Sequence, residues 1–253
     1  MKHVKFEEAR ILIDADMPVM LTGEKGSGKT TLARQVAEAL ELTFFSVSMT
    51  RQTTLSHLIG FRTVTGQYSP SPLYRAVTEG GLFLLDEIDA GDPNVLLSLN
   101  TLENGYMSFP EGIVDKHEDF RLVATANPQD QHQHYTGRSK LDAATLDRFD
   151  IIQVPRDDAL EATLVDKDTH TRMTILRNCL AEQNSDRIVS MRDSVRYQKR
   201  KNLSLLADFM ETLAGGDDLA LQRYNNLIAA LPKYTDQSEC ETFSDLVQLI
   251  KTF

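Results

Sequence analysis

Near the start of the chain, Gly23-Glu24-Lys25-Gly26-Ser27-Gly28-Lys29-Thr30 sets glycines, a lysine and a threonine in the spacing G-x-x-x-x-G-K-[ST]. Glycines let backbone N–H groups turn inward, and a helix starting here adds the partial positive charge of its N-terminus, so the segment suits a chain of phosphates. Lys29 would reach the β- and γ-phosphates and Thr30 would offer its hydroxyl to Mg²⁺, with Gly23, Gly26, Ser27, Gly28 and Thr31 completing the candidate nucleotide-binding set. The bland alternative is a chance glycine turn. The context weighs against it: Val19-Met20-Leu21 precedes the loop as a short apolar run, and Leu32, Val36, Ala39 and Leu40 follow it at helical spacing.

A second group with chemistry in it is Leu82-Phe83-Leu84-Leu85-Asp86-Glu87, an apolar strand ending in two acids. Such carboxylates emerge at the carboxyl edge of a sheet, where open α/β folds bind ligands. Asp86 can join the shell of a Mg²⁺ ion, and Glu87 can polarise an attacking water as a general base. Read alone, the two acids could equally cap the next helix, which begins near Asp92-Pro93. It is the phosphate loop that tips them toward chemistry.

These residues need a scaffold, and the first part of the chain supplies one by alternating apolar runs with helical patterns. Besides Val19–Leu21 the candidate strands are Phe44–Val47, Leu82–Leu85, Phe120–Ala124 and Ile151–Val154. Continuous apolar runs, rather than strict alternation, indicate strands covered on both faces, as in a parallel sheet. After Pro155 the strand signals stop and helical patterns take over: Thr171 to Gln183, Ser190 to Arg200, Ser204 to Leu213, Leu219 to Leu231 and Thr242 to Phe253, punctuated by Gly215-Gly216 and Pro232. The expected fold is an α/β core over residues 1–155, with five parallel strands, followed by a small all-helical domain over residues 156–253.

Composition narrows the class further. The chain has 253 residues, 41% hydrophobic and 25% charged, which is ordinary for a globular protein able to bury its own core. No apolar run reaches the length of a membrane span, and the N-terminus turns acidic at Glu7-Glu8 before any signal-peptide core could form. Only Cys179 and Cys240 are present, too few for a disulfide framework, so a reducing cytoplasmic setting is expected. The net charge is −10, and both halves are acidic, which disfavours nucleic acid as a partner. Arg187, Arg192, Arg196, Lys199, Arg200 and Lys201 form a local exception.

With the phosphate loop and the acidic strand in that order, the sequence resembles the AAA+ ATPases, in the MoxR-like or dynein-related branch. The resemblance covers about residues 10–200 and rests on five motifs in sequence. Gly60-Phe61 through Tyr68-Ser69-Pro70-Ser71-Pro72-Leu73 and Glu79-Gly80-Gly81 is similar to the family's segment leading into the acidic strand. Leu99 through Glu103-Asn104-Gly105 to Pro110 resembles its helix and the β-hairpin inserted before the next strand. Ala124-Thr125-Ala126-Asn127-Pro128 resembles the sensor-1 strand end, making Asn127 the polar residue that helps to place the water. Without the other motifs Asn127 would read as a turn residue before Pro128. Leu141 through Asp147-Arg148-Phe149 is similar to a helix ending in an arginine finger, so Arg148 is the candidate for that role, with Arg138 ranked behind it. The bland reading of Arg148 is a surface arginine paired with Asp147 or Asp150. Ser190-Met191-Arg192 matches the start of the sensor-2 helix; Arg192 is the assignment, and Arg196 one turn on is its rival.

The resemblance implies ATP and Mg²⁺ as cofactors, a helical lid over the core, and a ring, commonly a hexamer. Hydrolysis would drive remodelling of a client or adaptor protein, a chaperone-like role. Phe61 and Tyr68 fall where the family carries loops facing a central channel, although core packing suits them equally. The hairpin near Met107–Asp115 and the tail from Gly216 are the further candidates for selecting a client. His132 and His134 lie in a very polar loop with too few companions for a metal site. Two rivals keep a place: a nucleic-acid translocase or loader on the same core, sustained by the basic cluster, and a small-molecule kinase, which has no use for Asn127 and Arg148 where they stand.

Overall fold

A computed structural model of the chain describes residues 1–128, 141, 143–185, 187–203 and 209–235. It divides into two compact units, Met1–Leu160 and Glu161–Phe253. Cys240, His132, His134, Arg138 and the expected helix Thr242–Phe253 lie outside the described residues, as does the first half of Ser204–Leu213, residues 204–208.

In the first unit the chain runs α1 (Phe6–Asp14), β1 (Val19–Thr22), α2 (Lys29–Ala39), β2 (Phe44–Ser48), α3 (Leu55–Ile59), β3 (Phe61–Arg62), β4 (Tyr68–Ser69), α4 (Pro72–Glu79) and β5 (Gly81–Asp86). It continues through a 3₁₀ turn at Ile88–Ala90, α5 (Pro93–Leu96), a 3₁₀ stretch Leu97–Asn104, β6 (Tyr106–Phe109), β7 (Gly112–Asp115), β8 (Phe120–Ala126), α6 (Ala143–Leu146) and β9 (Asp150–Gln153). The five expected strands form one parallel sheet in the order β2-β5-β8-β1-β9. β6 and β7 pair antiparallel as the inserted hairpin, and β3 with β4 makes a second, smaller one.

The sheet is covered on both faces, which is why its strands read as unbroken apolar runs. On one face Leu21, Leu82, Leu84, Val123 and Ile152 pack against Leu32, Ala33 and Val36 of α2 and Phe6, Ala9 and Ile13 of α1. On the other, Met20, Phe83, Leu85 and Ala124 meet Leu58, Leu73, Val77, Met107 and Phe109. Both layers leave the carboxyl ends of the strands to the loops that follow them.

The second unit holds α8 (Lys167–Glu182), α9 (Met191–Asn202), α10 (Phe209–Ala214) and α11 (Asp218–Thr235); α7 (Asp158–Leu164) spans the division. Its core joins Met173, Leu176, Leu180, Tyr197, Leu213 and Tyr224. α11 runs on through Pro232 to Thr235, past the position where that proline was expected to end the helix. Glu161 is fully buried and accepts from Arg177 Nη2 at 2.9 Å and from the Ser194 hydroxyl. At the start of α8, Asp166 accepts from Thr169 N–H at 2.7 Å, and Lys201 Nζ bridges Asp166 and Asp168 at 2.9 and 2.7 Å. Partial burial raises both carboxyls, but the hydrogen bonds from Thr169, Lys201 and Arg172 outweigh it and hold them below the usual range.

Candidate nucleotide site

β1 ends at Thr22, and the glycine loop carries the chain over the carboxyl edge of the sheet into α2. Its tight path requires glycine. A Cβ on Gly23 would lie 2.2 Å from the Val154 carbonyl oxygen, and Gly28 enters the helix at φ 97°, a left-handed conformation that other residues adopt only at a cost. The N-terminus of an 11-residue helix is thereby aimed at the loop with no side-chain cap on its first N–H groups.

Lys29 folds back over this loop. Its Nζ donates to the carbonyls of Gly23 at 2.6 Å and Glu24 at 3.0 Å, and lies 3.5 Å from Asn127 Oδ1. Ser27 is 3% exposed, yet its hydroxyl finds no hydrogen-bond partner among the described residues. A buried hydroxyl without a hydrogen-bond partner and a lysine folded over the loop are donors that fit phosphate oxygens. Thr31 is exposed in the first turn of α2.

The acidic strand end meets this helix directly. Thr30 Oγ1 donates to Asp86, 3.1 Å from Oδ1 and 3.3 Å from Oδ2, although 56 residues separate the two in sequence. Among the described residues no group of three His, Cys, Asp or Glu side chains gathers as a metal cage. Thr30 and Asp86 instead fit the kind of Mg²⁺ site that a protein shares with phosphate oxygens. Glu87 does not cap the following helix: Asp92 does, accepting from Asn94 N–H at 2.9 Å. Glu87 sits at φ 58° and ψ 47°, a left-handed conformation costing a non-glycine residue about 1–2 kcal/mol. Its N–H donates to Thr125 Oγ1 at 2.9 Å, and its C=O accepts from Ala90 N–H at 2.8 Å.

Asn127 follows β8 at the same edge and is 6% exposed, its Nδ2 lying 3.5 Å from Asp89 Oδ2. The fold therefore gathers Lys29, Thr30, Asp86, Glu87 and Asn127. Sequence reasoning missed two of their neighbours. Thr125 is fully buried, donates to Asp86 Oδ1 at 2.6 Å and accepts from Glu87; Asp89 is 3% exposed beneath Asn127. The one signal for Thr125 was a hydroxyl within the apolar run that ends β8.

Arg148 lies elsewhere. It precedes β9 and lines a cavity of about 300 Å³ with Pro18, Leu99, Phe120 and Phe149, at the amino edge of the sheet. Its Nε pairs with Glu103 at 2.8 Å and its Nη1 donates to Asn100, so its ion pair goes to neither of the aspartates beside it in sequence. Arg192 belongs to the second unit, exposed in the first turn of α9, whose N-cap Ser190 and Asp193 form a reciprocal capping box. Arg196 lies 3.7 Å from Asp193. Of the two aromatic channel candidates, Phe61 is 53% exposed, whereas Tyr68 donates to the Ile59 carbonyl at 2.6 Å and packs edge-on against Tyr74. Burial pushes the Tyr68 phenol up to about 12.

Known proteins share parts of this sequence and fold. The family model described as "AAA domain (dynein-related subfamily)" matches residues 18–149, just over half of the chain. Midasin from Giardia intestinalis is 33% identical over 144 residues, 52% of this chain and 3% of that protein. An uncharacterized protein of Staphylococcus aureus strain USA300 is 27% identical over 176 residues, 61% of this chain and 64% of the relative. The chain thus spans less than two thirds of each of these relatives. Among solved structures, NtrX from Brucella abortus superposes with a TM-score of 0.50 at 16% identity, covering 97% of this chain and 53% of that one. At that identity the likeness speaks for the fold alone.

Proposed function

The chain belongs to the AAA family in its dynein-related subfamily, an ATP hydrolase domain that takes ATP with Mg²⁺, and from that premise we propose how its residues divide the work. Lys29, with Gly23, Gly26, Ser27, Gly28 and Thr31, binds the phosphates. Thr30 and Asp86 hold the Mg²⁺ ion, which when bound neutralises charge on the phosphate oxygens. Glu87 accepts the proton of the attacking water, and Asn127 orients that water. The observation that carries this reading is the hydrogen bond from Thr30 to Asp86, which joins the phosphate loop to the acidic strand end.

Arg148 acts on the ATP of a neighbouring subunit. It sits before a parallel strand whose partner β1 leads into the phosphate loop, so about 13 Å of strand separates the two ends. That distance from its own phosphates supports a role on a neighbour's, and the family resemblance implies a ring, expected to be a hexamer. Arg192 supplies the sensor-2 contact from the helical unit. In this reading the ring remodels a client or adaptor protein in the cytoplasm, a MoxR-like chaperone activity, with the exposed Phe61 and the β6–β7 hairpin as client-facing elements. Among the described residues no helix is long and apolar enough to cross a membrane.

Mixing tests the proposal. Arg148→Ala should bind ATP normally and hydrolyse it poorly, and Lys29→Ala should be inactive for want of nucleotide. Mixed assemblies, verified by mass, should exceed the sum of the two, because an intact Arg148 then faces a loaded site. No recovery in such mixtures, or unchanged turnover by Arg148→Ala alone, would remove the trans role.

A further inference from the structure

Thr125 is a fully buried residue in the middle strand of the sheet, paired in register with Leu21. Its neighbour on the same strand face, Val123, is part of the apolar layer against α2, so a valine would satisfy packing at position 125. A hydroxyl there needs a reason, and the polar atoms around it supply one. The hydroxyl carries one proton and can accept through its lone pairs. Glu87 N–H can only donate, and it takes a lone pair at 2.9 Å. The hydroxyl proton is thereby left to Asp86 Oδ1, at 2.6 Å. One side chain fixes both acids: the carboxylate of Asp86 and the backbone of Glu87.

Resting on the assignment of Asp86 and Glu87 above, we propose that Thr125 is the positioning residue that couples the Mg²⁺-side carboxylate to the general base. Glu87 must hold a left-handed conformation, and such strain persists only where surrounding bonds over-determine it. Thr125 on the N–H side and Ala90 on the C=O side are those bonds. Asp86 in turn receives Thr125 and Thr30 on the same oxygen, which sets the rotamer it presents beside Thr30. Loss of the hydroxyl frees the Asp86 carboxylate to rotate and releases Glu87 from its aim, while the lysine and the glycine loop keep their grip on phosphate.

The test uses the full chain. Thr125→Val keeps shape and removes the hydroxyl; Thr125→Ser keeps the hydroxyl. Thr125→Val should lower kcat about 10- to 100-fold while the ATP KM stays within about twofold. Calorimetric titration of a slowly hydrolysed ATP analogue at graded Mg²⁺ should show a several-fold higher Mg²⁺ requirement for binding. Thr125→Ser should recover most of both quantities. Should Thr125→Val melt far below the parent, Thr125→Cys, a weak donor of similar size, replaces it with the same expectation. Parent-like kcat and Mg²⁺ requirement in Thr125→Val would overturn the inference, as would equal losses in the Val and Ser forms. Glu87→Gln separates the two levels. If it is inactive while Thr125→Val is not, the site reading stands and the coupling falls; a parent with no Mg²⁺-dependent turnover takes both down.

Discussion

The carboxyl edge of the sheet and the polar centre of the helical unit use similar residues to opposite ends. In the helical unit, charge meets charge within the chain: Glu161 with Arg177 in the interior, and Lys201 with the half-exposed Asp166 and Asp168. At the sheet edge, a lysine rests on backbone carbonyls, a buried serine hydroxyl stands open, and a glutamate holds a strained backbone. Groups matched within the chain serve stability. At the sheet edge the strained backbone of Glu87 is held by Thr125 and Ala90, which fits a site built for chemistry rather than for stability.

The sharpest way to break this contrast is Lys29→Ala. It should abolish ATP binding in calorimetry while the nucleotide-free chain stays folded, because the hydrogen bonds from Lys29 to the Gly23 and Glu24 carbonyls contribute only about 1 kcal/mol each. A large drop in stability would make Lys29 a structural residue. In the helical unit the opposite is expected: Arg177→Met removes the cation paired with the buried Glu161 carboxylate and should destabilise the chain by about 3–5 kcal/mol in denaturant titration. A parent-like denaturation curve would remove the structural role given to this pair.

The smallest effect belongs to the exposed end of the same unit. Asp166 and Asp168 have lowered native values, so their stabilising contribution is present above the unfolded carboxylate range, near pH 4, and is lost as pH falls through those lowered values. These groups are about half exposed and screened, so the part lost below pH 4 should be worth no more than about 2–4 °C in melting temperature. Lys201→Met should flatten that acid limb; an unaltered limb would detach the cluster from acid stability.

The same contrast marks how far the sequence could be read. The five strands were legible because burial on both faces leaves continuous apolar runs, and the phosphate loop because its glycines are fixed by steric need. The order of the strands was not, since pairing depends on contacts between distant segments. α1 escaped notice although Phe6, Ala9 and Ile13 share a helical face, and the short β3–β4 hairpin was read as loop. Thr125 was invisible in its role because its partners Asp86 and Glu87 lie 39 and 38 residues away. Arg148 was assigned by resemblance, but its actual partners, Glu103 and Asn100, come from a segment that only folding brings near. Pro232 did not end α11 where sequence rules placed the stop.

The central claim is that one edge of the sheet binds phosphate with one set of residues and activates water with another. Equilibrium binding of ATP·Mg²⁺ and steady-state turnover, measured together on the parent chain and on Glu87→Gln, test it most directly. The account predicts parent-like affinity in Glu87→Gln with turnover lowered by about 10²–10⁴-fold. Affinity lost in step with turnover, or turnover left intact, would contradict it.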